Sequence, residues 1–165
     1  MIPLLAKEGR GEVSLDFKRV SGGLLVQDVD DSQINEKDLR IVTKKHPTPL
    51  EVRDMLFAWK VVKHCKSNAI VLAQNGVTVG LGLGQTSRIG SVKLAIKQCN
   101  NVTMDRVVCA SDAFFPFRDS VDELARAGVT AIIQPGGSKN DGDVISACDE
   151  NNISMACTGI RIFRH

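Results

Sequence analysis

Residues 69–84 read Ala69-Ile70-Val71-Leu72-Ala73-Gln74-Asn75-Gly76-Val77-Thr78-Val79-Gly80-Leu81-Gly82-Leu83-Gly84. The continuous apolar run 69–73 has the length of a strand, and Asn75-Gly76 is the favoured dipeptide of a two-residue hairpin turn. After the turn, Val77, Val79, Leu81 and Leu83 alternate with Thr78, Gly80, Gly82 and Gly84. One face of that second strand is aliphatic, and the other is almost bare backbone.

Upstream, Thr48-Pro49-Leu50-Glu51 is a capping box with proline at the first helical position. Val52, Met55, Leu56, Trp59 and Val62 then repeat at the spacing of a helix packed on a core. Downstream, a helix is expected over 88–99 with Ile89, Val92, Ile96 and Cys99 inward. Strand and helix then alternate: strand 106–110, helix 120–127 opened by the capping box Ser120-Val121-Asp122-Glu123, strand 129–134, helix 143–150, strand 153–157. This rhythm predicts an α/β fold, a three-layer αβα sandwich around a sheet that the hairpin makes mixed. Towards the N-terminus, Val13-Ser14-Leu15-Asp16-Phe17 and Gly22-Gly23-Leu24-Leu25-Val26 have extended patterning, and the polar stretch 28–37 reads as a surface loop or linker.

The whole chain has 165 residues, 21 of them basic and 19 acidic, for a net charge of +2, and is 43% hydrophobic. That composition is too apolar for disorder, contains no bilayer-length apolar run, and suits one domain over 1–165. The near balance of charge argues against nucleic acid as a partner, as do a single Trp and no Tyr for base stacking. The cysteines are Cys65, Cys99, Cys109, Cys148 and Cys157, odd in number and never in a C-x-x-C pair. Neither a disulfide framework nor a zinc site follows from them, and buried thiols are expected instead. The start Met1-Ile2-Pro3-Leu4-Leu5-Ala6-Lys7-Glu8 is no signal peptide, so the cytoplasm is the expected compartment, away from membranes.

Open α/β sheets bind ligands at the carboxyl ends of their strands, and three turns there carry unusual chemistry. Gly82-Leu83-Gly84-Gln85-Thr86-Ser87-Arg88 combines backbone access, a helix start and a guanidinium, which suits an anion or else is a tight turn with a solvated arginine. Its glycine spacing is not that of a dinucleotide fingerprint. Ala110-Ser111-Asp112-Ala113-Phe114-Phe115-Pro116-Phe117-Arg118-Asp119 holds three of the six phenylalanines. Such a loop suits a flat heterocycle beside an acidic hydrogen-bond acceptor, or a hydrophobic plug over the sheet edge. Gln134-Pro135-Gly136-Gly137-Ser138-Lys139 is a glycine turn with a hydroxyl and a cation, and Arg161-Ile162-Phe163-Arg164-His165 is a basic C-terminal segment. His64 falls at a helix end, where a cation complements the macrodipole. No Ser-His-Asp triad, H-E-x-x-H, P-loop or zinc-deaminase signature can be assembled. These residues by themselves describe a small-molecule-binding α/β domain with an anion contact.

The same turns carry a family resemblance. Ser21-Gly22-Gly23-Leu24-Leu25-Val26-Gln27-Asp28, Trp59-Lys60-Val61-Val62-Lys63 with Lys66-Ser67-Asn68-Ala69-Ile70, and Gly84-Gln85-Thr86-Ser87-Arg88 form three blocks. Residues 111–119, Ile133-Gln134-Pro135-Gly136-Gly137-Ser138 and 161–165 form three more, in order. From about residue 13 to the end, the chain resembles the C-terminal half of AICAR transformylase, the formyltransferase of the bifunctional purine-biosynthesis protein that also carries IMP cyclohydrolase. The resemblance implies a cytidine-deaminase-like fold without zinc, of which the family's transformylase region holds two in tandem, this chain matching the second. It implies formyl transfer from 10-formyltetrahydrofolate to the 5-amino group of AICAR. Asn68, Arg88, Phe114 and Arg161 fall on positions resembling the family's AICAR contacts, and Ile89, Asp119, Ser138 and Lys139 on positions resembling its folate contacts. Ser67 and Asp112 lie where some members hold a potassium ion. The family's sites lie between subunits, which implies a homodimer or a partner chain bearing the other half. Its catalytic Lys-His pair, in a K-H-x-N-P-x-G motif, belongs to the first unit; Lys63-His64 here is followed by Cys65-Lys66-Ser67-Asn68-Ala69 and aligns with the second. A catalytically silent AICAR- or folate-binding module is the alternative reading.

Overall fold

A computed structural model describes residues 14–99, 103 and 105–164. The expected start at Val13, the leader reading of residues 1–8 and the basic terminus at His165 lie outside the described residues. The chain divides into two compact units, Met1–Gln33 and Ile34–His165.

In the first unit, β1 (Leu15–Val20) and β2 (Gly23–Asp28) pair antiparallel with Phe17 opposite Val26. Alternation puts Leu15, Phe17, Leu24 and Val26 on one face, all exposed.

The second unit runs β3 (Arg40–Ile41), α1 (Pro49–Val62), β4 (Ile70–Gln74), β5 (Val77–Gly82) and α2 (Arg88–Gln98). It continues with β6 (Val107–Ser111), α3 (Asp119–Arg126), β7 (Val129–Gln134), α4 (Asp141–Glu150) and β8 (Ser154–Cys157). Its six-stranded sheet has the order β3-β8-β7-β6-β4-β5. β6, β7 and β8 are parallel, while β5, β4 and β3 join antiparallel, so the sheet is mixed. Helix α1 covers one face, with Met55, Trp59 and Val62 on Val71, Ala73, Val108 and Ile133. Residues of α2, α3 and α4 cover the other, with Val92, Leu124 and Val144 on Leu72, Cys109 and Ile132. This is the three-layer αβα sandwich that the alternation of elements requires.

The opening stretch folds as read. Asn75 and Gly76 both take positive φ, 55° and 72°, and the buried Asp54 carboxylate accepts their amides at 2.8 and 2.9 Å. The bare face of β5 lies directly on α2. A Cβ on Gly80 would stand 2.3 Å from the Ala95 carbonyl oxygen, and one on Gly82 would stand 1.8 Å from that of Ser91. The inward face of α2 is accordingly made of Ser91, Val92 and Ala95, short side chains against a strand without them. Ile89, expected inward, instead points to a cleft described below. Close approach at β5 also brings the first turn of α2 down to the start of β4.

The capping box at α1 forms as expected. The Thr48 hydroxyl accepts the Glu51 amide at 3.2 Å, and the Glu51 carboxylate accepts the Thr48 amide at 2.7 Å. The other Glu51 oxygen accepts the Thr130 hydroxyl at 2.6 Å. Burial alone would raise the Glu51 pKa, but these bonds from Thr130 and Thr48, with the charge of Lys45, together hold it below the usual glutamate value. A carboxyl with a depressed folded pKa stabilises the fold above its unfolded pKa and ceases to do so as pH falls through the folded value. Glu51→Gln should therefore cost about 1 kcal/mol near neutral pH, a deficit that shrinks as urea titrations are repeated at pH falling through and below the ordinary carboxylate range. A deficit independent of pH would mean that the ionised form is not what these bonds favour.

Some elements differ from expectation. Helix α3 begins at Asp119, its N-cap is Arg118, and no side chain caps it. Ser120 is fully buried and its hydroxyl turns to Asp119 rather than capping Glu123, so the expected box does not form. Strand β3 and a short 3-10 turn at Glu36–Asp38 arise near the polar stretch read as a loop, where Ile34 is buried. All five cysteines are free and buried. Burial pushes the Cys148 thiol up to about 12, with help from the Asp149 charge, so it stays protonated and unreactive. Among the described residues, no helix is long and apolar enough to cross a membrane.

Candidate functional site

Four segments meet at one end of the sheet: residues 66–69 before β4, residues 84–89 entering α2, the turn between β6 and α3, and the C-terminal segment 159–164. The last runs across the strand ends. Ile162 donates its amide to the Asp112 carbonyl at 3.0 Å, and Ser67 and Arg164 exchange two bonds, Ser67 N to Arg164 O at 2.8 Å and Arg164 N to Ser67 Oγ at 2.9 Å. Thr158 and Gly159 donate to the Gln134 and Pro135 carbonyls at 2.9 Å each.

Between these segments lies an open cleft of about 430 Å³. Asn68, Arg88, Phe114 and Arg161, the four expected nucleotide contacts, all line it, as do Ile89 and Asp119 from the expected folate set. Ser138 and Lys139 do not. Their turn is closed on itself, because the Gly137 and Ser138 amides donate to the Asp141 carboxylate at 2.7 and 3.1 Å. The amides that the glycine turn offers are thus taken by a carboxylate of this chain.

Arg88 is not the solvated arginine of one sequence reading. It is 6% exposed, and its guanidinium donates to the Asp112 carboxylate, to the Ala69 carbonyl at 3.0 Å and to the Asn68 side-chain carbonyl at 3.0 Å. Asn68 in turn donates its side-chain amide to the Gln85 carbonyl at 2.9 Å, and its own carbonyl accepts the Ser91 hydroxyl at 2.8 Å. The result is a buried polar network in which each member orients the next. Arg88 Nε is buried without a hydrogen-bond partner. Most of the fork is committed to the protein, so Arg88 presents an edge to the cleft rather than a free bidentate clamp.

Arg161 is exposed, and its guanidinium carbon lies 5.1 Å above the Phe163 ring centroid, with that of Arg88 6.0 Å away. Such stacking holds a long side chain over one place while leaving its N–H groups to a ligand. Phe114 supplies an aromatic wall and Phe117, 61% exposed, stands at the mouth, whereas Phe115 is a fully buried plug. The plug reading therefore holds at Phe115, while Phe114 beside it lines the cleft. Asp119 turns one oxygen to the Ser120 amide at 2.7 Å and stays at the cleft wall. His64 lies outside the lining, its Nδ1 3.5 Å from the Arg164 guanidinium.

Thr86, Ser87, Pro116 and Phe163 also line the cleft and had no role assigned from sequence. All sit within the motifs already quoted, next to assigned residues. Their proximity in sequence to Arg88, Phe114 and Arg161 was the available signal.

For a potassium ion, Asp112 is fully buried and keeps one carboxylate oxygen, Oδ2, with no hydrogen-bond partner. The Ser67 hydroxyl oxygen accepts the Arg164 amide and retains a second lone pair. Oxygen donors of this kind suit a hard cation. Among the described residues, no group of three or more His, Cys, Asp or Glu is placed to hold a metal.

Fold and cleft together define an α/β domain whose open cleft is lined by two arginines, aromatic rings and one carboxylate. The family model for the AICARFT/IMPCHase bienzyme matches residues 2–98. The chain belongs to that family, and so to proteins of purine biosynthesis. Ser67, Asn68, Arg88 and Ile89 fall within the matched residues; Asp112, Phe114, Asp119 and Arg161 lie beyond them. Among solved structures, the chain is similar to a diaminohydroxyphosphoribosylaminopyrimidine deaminase/5-amino-6-(5-phosphoribosylamino)uracil reductase from Thermotoga maritima. The identity is 14% and the TM-score 0.39, over 66% of this chain and 35% of that one. The chain thus spans about a third of that protein's length.

Proposed function

We propose that the cleft is the second-unit half of an AICAR formyltransferase site, acting in the cytoplasm within a homodimer or with a chain that bears the other half. One observation carries the reading: Asn68, Arg88, Phe114 and Arg161 converge on one cleft with Ile89 and Asp119. The phosphate of AICAR would meet Arg161 and the edge of Arg88 that lines the cleft, and the imidazole would lie on Phe114. The pterin of 10-formyltetrahydrofolate would donate its amino and ring N–H groups to Asp119, beside Ile89; Ser138 and Lys139 would reach it only across the closed turn. A potassium ion held by Ser67 and Asp112 would supply positive charge that fixes the segments carrying Asn68 and Phe114.

Formyl transfer to a weakly basic aromatic amine needs a proton acceptor and a donor for the departing folate nitrogen. The described lining contains no histidine or lysine. That observation favours either a partner that contributes the acid–base pair or a second reading, a binding module without turnover.

The deciding assay supplies AICAR and 10-formyltetrahydrofolate to this protein alone and with a chain carrying the first unit. Formylated AICAR in either mixture is the expected result; none in both overturns the transferase reading. Truncating Phe114 or Arg161 to alanine should weaken AICAR binding about tenfold each, measured by calorimetry, since a charge-assisted contact or an aromatic face contributes about 1–2 kcal/mol. Unchanged affinity in both variants would place the nucleotide elsewhere.

A further inference from the structure

The turn between β6 and α3 sends Phe114 into the cleft and Phe115 into the core, so the backbone between these two rings has to be held in one orientation. Two successive residues of that backbone are gripped from the same neighbouring connection. The Phe115 amide donates to Gln134 Oε1 at 2.8 Å, and the Pro116 carbonyl accepts Asn140 Nδ2 at 2.7 Å. Gln134 closes β7 and is fully buried. Among the described residues its Nε2 finds just the Met155 sulfur, at 3.2 Å, a weak acceptor, so the Phe115 amide decides which way this side chain is used. Asn140 stands just before α4, and its side chain makes no cap bond to that helix. The connection that carries both amides is itself stiffened by the bonds of Asp141 to Gly137 and Ser138. Neither Gln134 nor Asn140 lines the cleft.

We propose that Gln134 and Asn140 are positioning residues, a brace that sets where the Phe114 and Phe117 rings stand and thereby the affinity of the cleft. The inference rests on the reading of that cleft as a nucleotide site. The glycine turn after β7, on this account, acts on the ligand through the aromatic turn.

Asn140→Asp keeps size and exposure but removes the donor. It should leave the thermal unfolding midpoint unchanged and weaken AICAR binding at least fivefold in calorimetry. An affinity that is unchanged, or that falls only in step with the unfolding midpoint, overturns the proposal. Gln134→Met keeps volume but removes the acceptor, and should speed hydrogen exchange of the Phe115 amide at least tenfold relative to the Val108 amide. Equal acceleration at both overturns it; should this variant not fold, Asn140→Asp decides alone. If the unmodified protein does not bind AICAR, the proposed function fails. The brace is then judged by exchange at the Phe115 and Phe117 amides in Asn140→Asp, faster supporting it and unchanged refuting it.

Discussion

Gly82→Ala is expected to unfold the protein or to cost at least about 3 kcal/mol, the upper end of what overpacking a core removes. The new Cβ would stand 1.8 Å from the Ser91 carbonyl oxygen, 2.6 Å from its carbonyl carbon and 3.0 Å from its Cα. All three are helix backbone, so no flexible side-chain tip is there to yield, and the helix itself must move away from β5. Gly80→Ala meets the Ala95 carbonyl oxygen at 2.3 Å and should behave alike. Gly142, in α4, is the control: a Cβ there meets nothing within 4 Å, and alanine should stabilise by about 0.5–1 kcal/mol through helix propensity. Urea denaturation of the three variants checks the ordering. Should Gly82→Ala prove neutral, α2 does not lie on β5 as described. Any variant that still folds with α2 displaced should also lose ligand affinity, because Arg88 starts that helix.

Arg88→Met is the second large effect. It leaves the fully buried Asp112 carboxylate without its guanidinium, and removing one partner of a buried pair typically costs about 3–5 kcal/mol. The Asn68 side-chain carbonyl loses its donor as well, and the Ala69 carbonyl is left with the longer bond from the Asp112 amide at 3.3 Å. The double variant Arg88→Met with Asp112→Leu removes both charges and should recover much of the loss, since a buried pair replaced by apolar groups is often near neutral. A double variant no more stable than Arg88→Met would show that the network stabilises through something other than the ion pair. Both variants should lose AICAR binding, so recovery of stability without recovery of affinity separates folding from recognition.

How far the sequence foretold this arrangement depends on the kind of contact involved. Local patterns were legible: the Asn75-Gly76 turn, the Thr48 capping box and the Met55-Trp59-Val62 stripe each act within one element, and each forms as read. The bare face of β5 was legible as a face, but not that a helix backbone would lie on it, because glycines record only that something approaches closely. Strand β3 is two residues long and too short to show a period. At Ser120 burial overrode a good capping sequence. In the cleft, the types of chemistry were readable and their partners were not. Arg88 announced a cation, yet which carboxylate it would meet was decided 24 residues away at Asp112. Phe114 and Phe115 are the same residue type on one turn, and only packing separates the cleft wall from the plug. Gln134 looked like part of a glycine turn, and its grip on Phe115 depends on two strands being neighbours.

Whether the cleft recognises AICAR, as proposed, is decided by a calorimetric titration of the purified protein with AICAR, repeated with Arg161→Ala. One saturable site per chain is expected, weakened about tenfold by the substitution. No saturable heat up to millimolar AICAR, or a site indifferent to Arg161, would contradict it.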